Sequence, residues 1–171
     1  MGYRLSSNLK QSDYTVSHVE LSDAGRQRLS KGLRISCVDA NQAVPNAQVV
    51  ILAVPDTLVG RVAEELSPLM ASGTMVITLD AAAPFAGHLP NRDDLIYFVT
   101  HPCHPPIFND ETDLDAKRDY FGGNKAKQHI VNALMQGPEE IYTLGEAIAK
   151  TIYAPVVRSH RVSVEQMALL E

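Results

Sequence analysis

Short apolar runs alternate along this chain with stretches whose apolar residues recur every three or four positions. Val49-Val50-Ile51-Leu52-Ala53-Val54-Pro55 is apolar without alternation, which predicts a central parallel strand buried on both faces. Asp56 or Thr57 then opens a predicted helix through Met70, with Leu58, Val62, Leu66 and Leu69 on one face, and Gly73 closes it. Met75 to Leu79, Leu95 to Thr100 and His129 to Met135 read as further strands. Upstream, residues 2–11 read as a helix with Leu5 and Leu9 one turn apart. Tyr14 to Leu21 and Leu33 to Val38 read as strands around a helix from Asp23 to Lys31, capped by Ser22 and ended by Gly32. Downstream, Gly137-Pro138-Glu139-Glu140 starts a helix to about Tyr153, with proline in the first turn and acids at the positive end of the dipole. Pro155 to Arg158 predicts a short strand, and Ser163-Val164-Glu165-Gln166 is a capping box that launches a last helix. Residues 112–126 are polar and predict a surface loop. Strands alternating with helices, without internal repeats, predict an α/β fold around a mostly parallel sheet.

Composition narrows the partners. The chain has 171 residues, enough for one compact domain, and a net charge of −5. Its 15 Lys and Arg are scattered, with no run that would grip nucleic-acid phosphates or anionic lipid. Cys37 and Cys103 form neither a disulfide framework nor a zinc-knuckle spacing, and free thiols suit a reducing compartment. The first residues lack the apolar core of a signal peptide, and the longest apolar run is far short of the ~20 residues that span a membrane. The expectation is a soluble, cytoplasmic protein that handles a small molecule, with no nucleic acid or membrane partner.

In open α/β sheets, ligands bind beyond the carboxyl ends of the strands, and three features fall there. Glu20 ends the first predicted strand; in a dinucleotide-binding fold an acid there accepts hydrogen bonds from the adenosine ribose and repels a 2′-phosphate, and otherwise it is a surface carboxylate. Val54-Pro55-Asp56 follows the apolar strand, where Asp56 either meets the cofactor riboses or caps the next helix. The third is Thr100-His101-Pro102-Cys103-His104-Pro105-Pro106-Ile107-Phe108-Asn109-Asp110-Glu111, whose three prolines stiffen the loop that carries two histidines. Neutral imidazole binds divalent metals or exchanges protons near neutral pH, although two His three apart are by themselves a weak metal motif; Glu111 and Glu171 are candidates to complete it. Cys103 reads as a packed thiol, and His88, His129 and His160 as structural or solvent-exposed.

These segments resemble the amino-terminal part of the D-apionate oxidoisomerase family, NAD-dependent enzymes related to the 6-phosphogluconate and β-hydroxyacid dehydrogenases. The resemblance rests on Val19-Glu20 with Ser22, on Ala53-Val54-Pro55-Asp56, and above all on His101-Pro102-Cys103-His104-Pro105-Pro106. Ala133-Leu134-Met135-Gln136-Gly137-Pro138-Glu139-Glu140 and His160-Arg161-Val162-Ser163-Val164-Glu165-Gln166-Met167 add to it. It implies a Rossmann-type, doubly wound sheet that lacks the family's first strand, of whose glycine-rich turn Met1-Gly2 match only the last two positions. It also implies an NAD-binding domain over 1–160, and over 161–171 the start of a helical second domain whose remainder is absent. On this resemblance Met1, Gly2, Glu20 and Asp56 contact NAD, and His101 and Glu171 are the divalent-metal pair. The metal polarises a branched sugar acid while NAD takes a hydride and a histidine such as His104 moves the proton. The full-length protein would be a homodimer, and the short chain would bind NAD weakly compared with an extended one.

Three other readings stand beside it. A plain β-hydroxyacid or phosphogluconate-type dehydrogenase needs no metal and would turn over in excess chelator. A semialdehyde dehydrogenase would use Cys103 as nucleophile with His101 or His104 as base, and would die in Cys103→Ser. A non-catalytic nucleotide-binding fragment would bind without turnover.

Overall fold

The structure, a computed structural model, describes residues 2–106, 110–120, 122 and 125–170. In chain order the helices and strands are α1 (Gly2–Leu9), α2 (Asp23–Leu33), α3 (Ala40–Ala43), β1 (Val49–Leu52), α4 (Asp56–Leu66), β2 (Met75–Thr78), α5 (Ala82–Phe85) and β3 (Ile96–Pro102). They continue with α6 (Leu114–Arg118), β4 (Gln128–Gln136), α7 (Tyr142–Ile152), β5 (Val156–Arg161) and α8 (Val164–Leu170). One five-stranded sheet runs β1-β2-β3-β4-β5. β1, β2 and β3 are mutually parallel, β4 is antiparallel to β3, and β5 is parallel to β4.

Alternation along the strands sends side chains to two packed layers, as a pleated sheet requires. Met75, Ile77, Ile96 and Phe98 face one layer with Leu5 and Leu9 of α1 and Ile148 and Ile152 of α7. Val76 and Tyr97 face the other with Val59 and Ala63 of α4. Val99 and Ala133 close under Met167 of α8. Helices on both faces make the sheet doubly wound, the expected class. The α8 capping box forms as predicted: the Gln166 N–H donates to Ser163 Oγ at 3.0 Å and the Ser163 N–H to Gln166 Oε1 at 2.9 Å.

Several elements differ from expectation. Tyr14 to Leu21 and Leu33 to Val38 are not full strands; they share a single parallel bridge, His18 with Cys37, and among the described residues neither joins the main sheet. Two short segments without a third neighbour cannot propagate a ladder. Val49, Val50 and Ile51 are half-buried because β1 is the edge of the sheet, and β2 is the strand buried throughout. Helix α2 passes Gly32 and stops at Arg34, whose φ of 55° gives the left-handed cap. Gly32 instead makes room for Tyr3, whose hydroxyl would lie 2.2 Å from a Cβ there. Within 112–126 the chain forms α6, because the Asp113 carboxylate accepts the Asp115 and Ala116 N–H groups.

Candidate functional site

The parallel strands β1, β2 and β3 end on one edge of the sheet, and the chain places polar side chains there. Asp56 is exposed at the first position of α4, just past β1. The residue capping that helix is Pro55, which makes no side-chain cap, so Asp56 is not its N-cap. Asp80 follows β2 and His101 lies near the end of β3. Thr78 and Val99 form the last pair of the β2–β3 ladder, and just past it Asp80 lies near enough to His101 for its charge to act on the imidazole. His101 belongs to the strand and not to the proline loop: it pairs with Val131 of β4. That register, not the prolines, holds it.

His101 is half-buried, and burial pushes its pKa below the ordinary histidine value. The negative charges of Asp80 and Asp56 oppose that shift, while His104 adds to it. The imidazole is therefore neutral near pH 7, the form that binds a cation or takes a proton. His104 is exposed, with φ of 54°, and its ring stands edge-on to His101 at 6.1 Å between centroids. Between them, the Cys103 N–H donates to the His129 carbonyl at 3.0 Å, and desolvation pushes the Cys103 thiol above its usual pKa.

Glu20 lies just past the His18–Cys37 bridge. Its Oε1 accepts the Ser22 N–H at 2.8 Å, and the Arg26 side chain donates to its backbone carbonyl at 2.5 Å. The Ser22 N–H, against partial desolvation and with help from the Ser22 side chain and Arg26, holds its carboxyl below the usual glutamate range. Ser22 also caps α2 by accepting the Gly25 N–H at 3.1 Å. A Cβ at Gly25 would stand 2.5 Å from the Glu20 carboxyl group, so glycine lets the acid lie against the first turn of α2. Gly2 starts α1 beside Ala53, where a Cβ would meet only ordinary contact at 3.9 Å. Met1 and Glu171, expected to touch cofactor and metal, lie outside the described residues.

The structure thus brings His101 and His104 together, sets Asp80 beside His101, and leaves Glu20 ionised at the head of α2. Sequence reasoning missed Asp80, although the strand-end rule that singled out Asp56 applies equally to the residue after Leu79. It also missed that His129 and His160 meet; no spacing signals a pair formed across two strands.

An open, doubly wound sheet with acids and histidines at its carboxyl edge has its polar groups where such sheets bind ligands. Residues 1–85 match the NAD binding domain of 6-phosphogluconate dehydrogenase, which gives the class as an NAD-binding domain, and residues 109–171 match the phosphogluconate dehydrogenase (decarboxylating) C-terminal family. The whole chain is 67% identical to a D-apionate oxidoisomerase of Rhizobium rhizogenes and 40% identical to one of Pectobacterium atrosepticum, spanning 62% and 60% of those proteins. A solved structure from Cupriavidus necator, described as a semialdehyde dehydrogenase NAD-binding protein in complex with calcium and NAD, superposes with a TM-score of 0.96. It shares 64% identity over 99% of this chain and 62% of its own. The chain is similar over its whole length to D-apionate oxidoisomerases, and it spans about three fifths of the length of those curated relatives.

Proposed function

We propose that this chain is the cofactor-binding part of an NAD-dependent oxidoreductase that acts on a branched polyhydroxy sugar acid and couples oxidation to isomerisation. The observation that carries the reading is the neutral, strand-held His101, within reach of the Asp80 charge at the carboxyl edge of the parallel strands. The residues fit the cofactor: Glu20 is ionised, its carboxylate can accept ribose hydroxyls, and its charge repels a 2′-phosphate. Gly2 and Asp56 would line the same cofactor, with Met1 in the phosphate turn. NAD, when bound, supplies the hydride acceptor. They also fit a divalent metal in part: His101 offers a neutral imidazole, Glu171 is its proposed partner, and the ion would supply Lewis-acid polarisation of the sugar-acid oxygens. His104, exposed and edge-on to His101, would move the proton of the reacting hydroxyl.

A cysteine-nucleophile aldehyde oxidation is the weaker reading, because the raised Cys103 pKa keeps its thiol protonated. Residues 1–160 would form the cofactor domain, and 161–171 would lead into a second, helical unit. A cytoplasmic setting accords with the free Cys37 and Cys103, and a homodimer with the exposed Leu169 and Leu170 on α8. The test is a titration of NAD and NADP into the chain, read by ligand-observed NMR so that weak binding registers. Glu20→Gln is expected to weaken NAD about tenfold, as loss of a charge-assisted hydrogen bond does, and to narrow the preference over NADP. Equal binding of NAD by the folded variant and the parent would overturn the assignment.

A further inference from the structure

His129 of β4 and His160 of β5 meet across two parallel strands. His129 Nδ1 lies 2.9 Å from His160 Nε2, the ring planes are inclined by 27°, and the centroids are 5.1 Å apart. A centroid separation that long with so short an N···N contact means the rings meet edge to edge. One nitrogen donates and the other accepts. His160 is two ladder positions along from the residue opposite His129: Val131 pairs with His160 and His129 with Arg158. Both rings ride on a backbone ladder, which Asn132 reinforces by donating to Ser159 Oγ at 2.7 Å.

We propose that His129 and His160 form a binding site for one divalent transition-metal ion of the copper–nickel–zinc class, the ion replacing the proton that the rings share. Imidazole is a preferred ligand for this class, and the spacing already suits it. Two nitrogens about 2.05 Å from a metal and at right angles stand ~2.9 Å apart, against ~3.4 Å for tetrahedral ligation. A tetragonal ion such as Cu²⁺ therefore fits with the strands unmoved and each ring tilted so that the two lone pairs converge. The displaced proton moves to the outer nitrogen of the ring that donated it, so His129, bound through Nδ1, carries a proton on Nε2, and His160, bound through Nε2, carries one on Nδ1.

Among the described residues no three or more His, Cys, Asp or Glu side chains gather as a metal group, so water completes the shell and His129, which is exposed, leaves room for it. Arg158, the register partner of His129, adds a positive charge nearby that opposes the ion. The site is separate from the pair at the end of β3, since Val131 stands between His101 and His160 in the ladder.

The experiment is a Cu²⁺ titration of the full chain at pH 7.5, followed by calorimetry and electron paramagnetic resonance. One ion should bind with coupling to two nitrogens. His129→Gln and His160→Gln should each weaken it at least tenfold, and Arg158→Ala should tighten it. His101→Gln, which removes the separate metal ligand proposed at the end of β3, should leave the two-nitrogen signal of this pair in place. Far-UV circular dichroism verifies that each variant is folded. Binding that survives in His160→Gln, binding lost instead in His101→Gln, or no binding by the parent chain would each overturn the proposal.

Discussion

Phe98 and Glu20 mark two regions of this molecule that are held in opposite ways. Phe98 lies in β3 with no exposure, hydrogen-bonded strands on both sides, Tyr142 5.6 Å away between ring centroids, and helix α7 across it. A Cβ on Gly145 of α7 would come within 2.5 Å of its ring. Glu20 follows one isolated bridge and is held by hydrogen bonds from Ser22 and Arg26, within six residues of it along the chain. The ladder that fixes Phe98 also fixes His101, three residues on. The segment bearing Glu20 rests on a cap and a bridge, the kind of structure that opens locally while the core stays folded. The proposed chemistry thus sits on the rigid region, and the proposed cofactor selectivity on the lightly held one.

The largest test of this contrast is Phe98→Ala. Removing a fully buried phenylalanine against a close helix backbone should cost about 3–5 kcal/mol, because neither the neighbouring strands nor α7 can collapse cheaply into the gap. Urea unfolding should show the midpoint falling with the slope unchanged. Ser22→Ala is the counterpart on the other region. It removes the cap on the Gly25 N–H and should cost about 1 kcal/mol. The loss should register in faster amide exchange at the start of α2, with a smaller shift of the global midpoint. If the two variants lowered the midpoint equally, the regions would unfold as one unit and the contrast would break.

What could be read from sequence follows the same division. The apolar runs at Val49, Met75 and Leu95 and the three-and-four spacing of Leu58, Val62 and Leu66 each report a face that the chain buries, so the sheet and its flanking helices were legible. Ser22, Pro138 and the Ser163–Gln166 box are signals contained in a few adjacent residues, and all three mark helix starts. The sequence alone did not reveal which strand lies at an edge: Val49–Leu52 is as apolar as a central strand because its side chains join the cores on both faces of the sheet. Tyr14 to Leu21 has strand-forming residues, yet pairing is a property of neighbours and only His18 finds one. At the site, His101, His104 and Glu20 were legible from residue type and position. The approach of Asp80 to His101 and the meeting of His129 with His160 depend on how strands pair, which no local pattern encodes.

The smallest expected effect isolates the lightly held region by pH. His18 is half-buried, its Nε2 has no hydrogen-bond partner among the described residues, and burial lowers its pKa from the ordinary value near 6.5. Its carbonyl accepts the Val38 N–H at 2.9 Å, so the bridge and the histidine stand or fall together. A base whose folded pKa is depressed binds fewer protons folded than open, so opening takes up a proton as pH falls. The stabilisation is complete above ~6.5 and declines as pH drops below it toward the folded pKa. Exchange protection of the Val38 amide, corrected for the intrinsic rate, should therefore fall between pH 7.5 and 5.5. His101 is also depressed by burial, so general loosening must be separated from the local effect by comparing an amide of β4 such as Ile130. His18→Leu should flatten the Val38 profile and leave that of Ile130 unchanged. Protection at Val38 that rises on acidification, or a slope that His18→Leu retains, would place the control of this segment in some group other than His18.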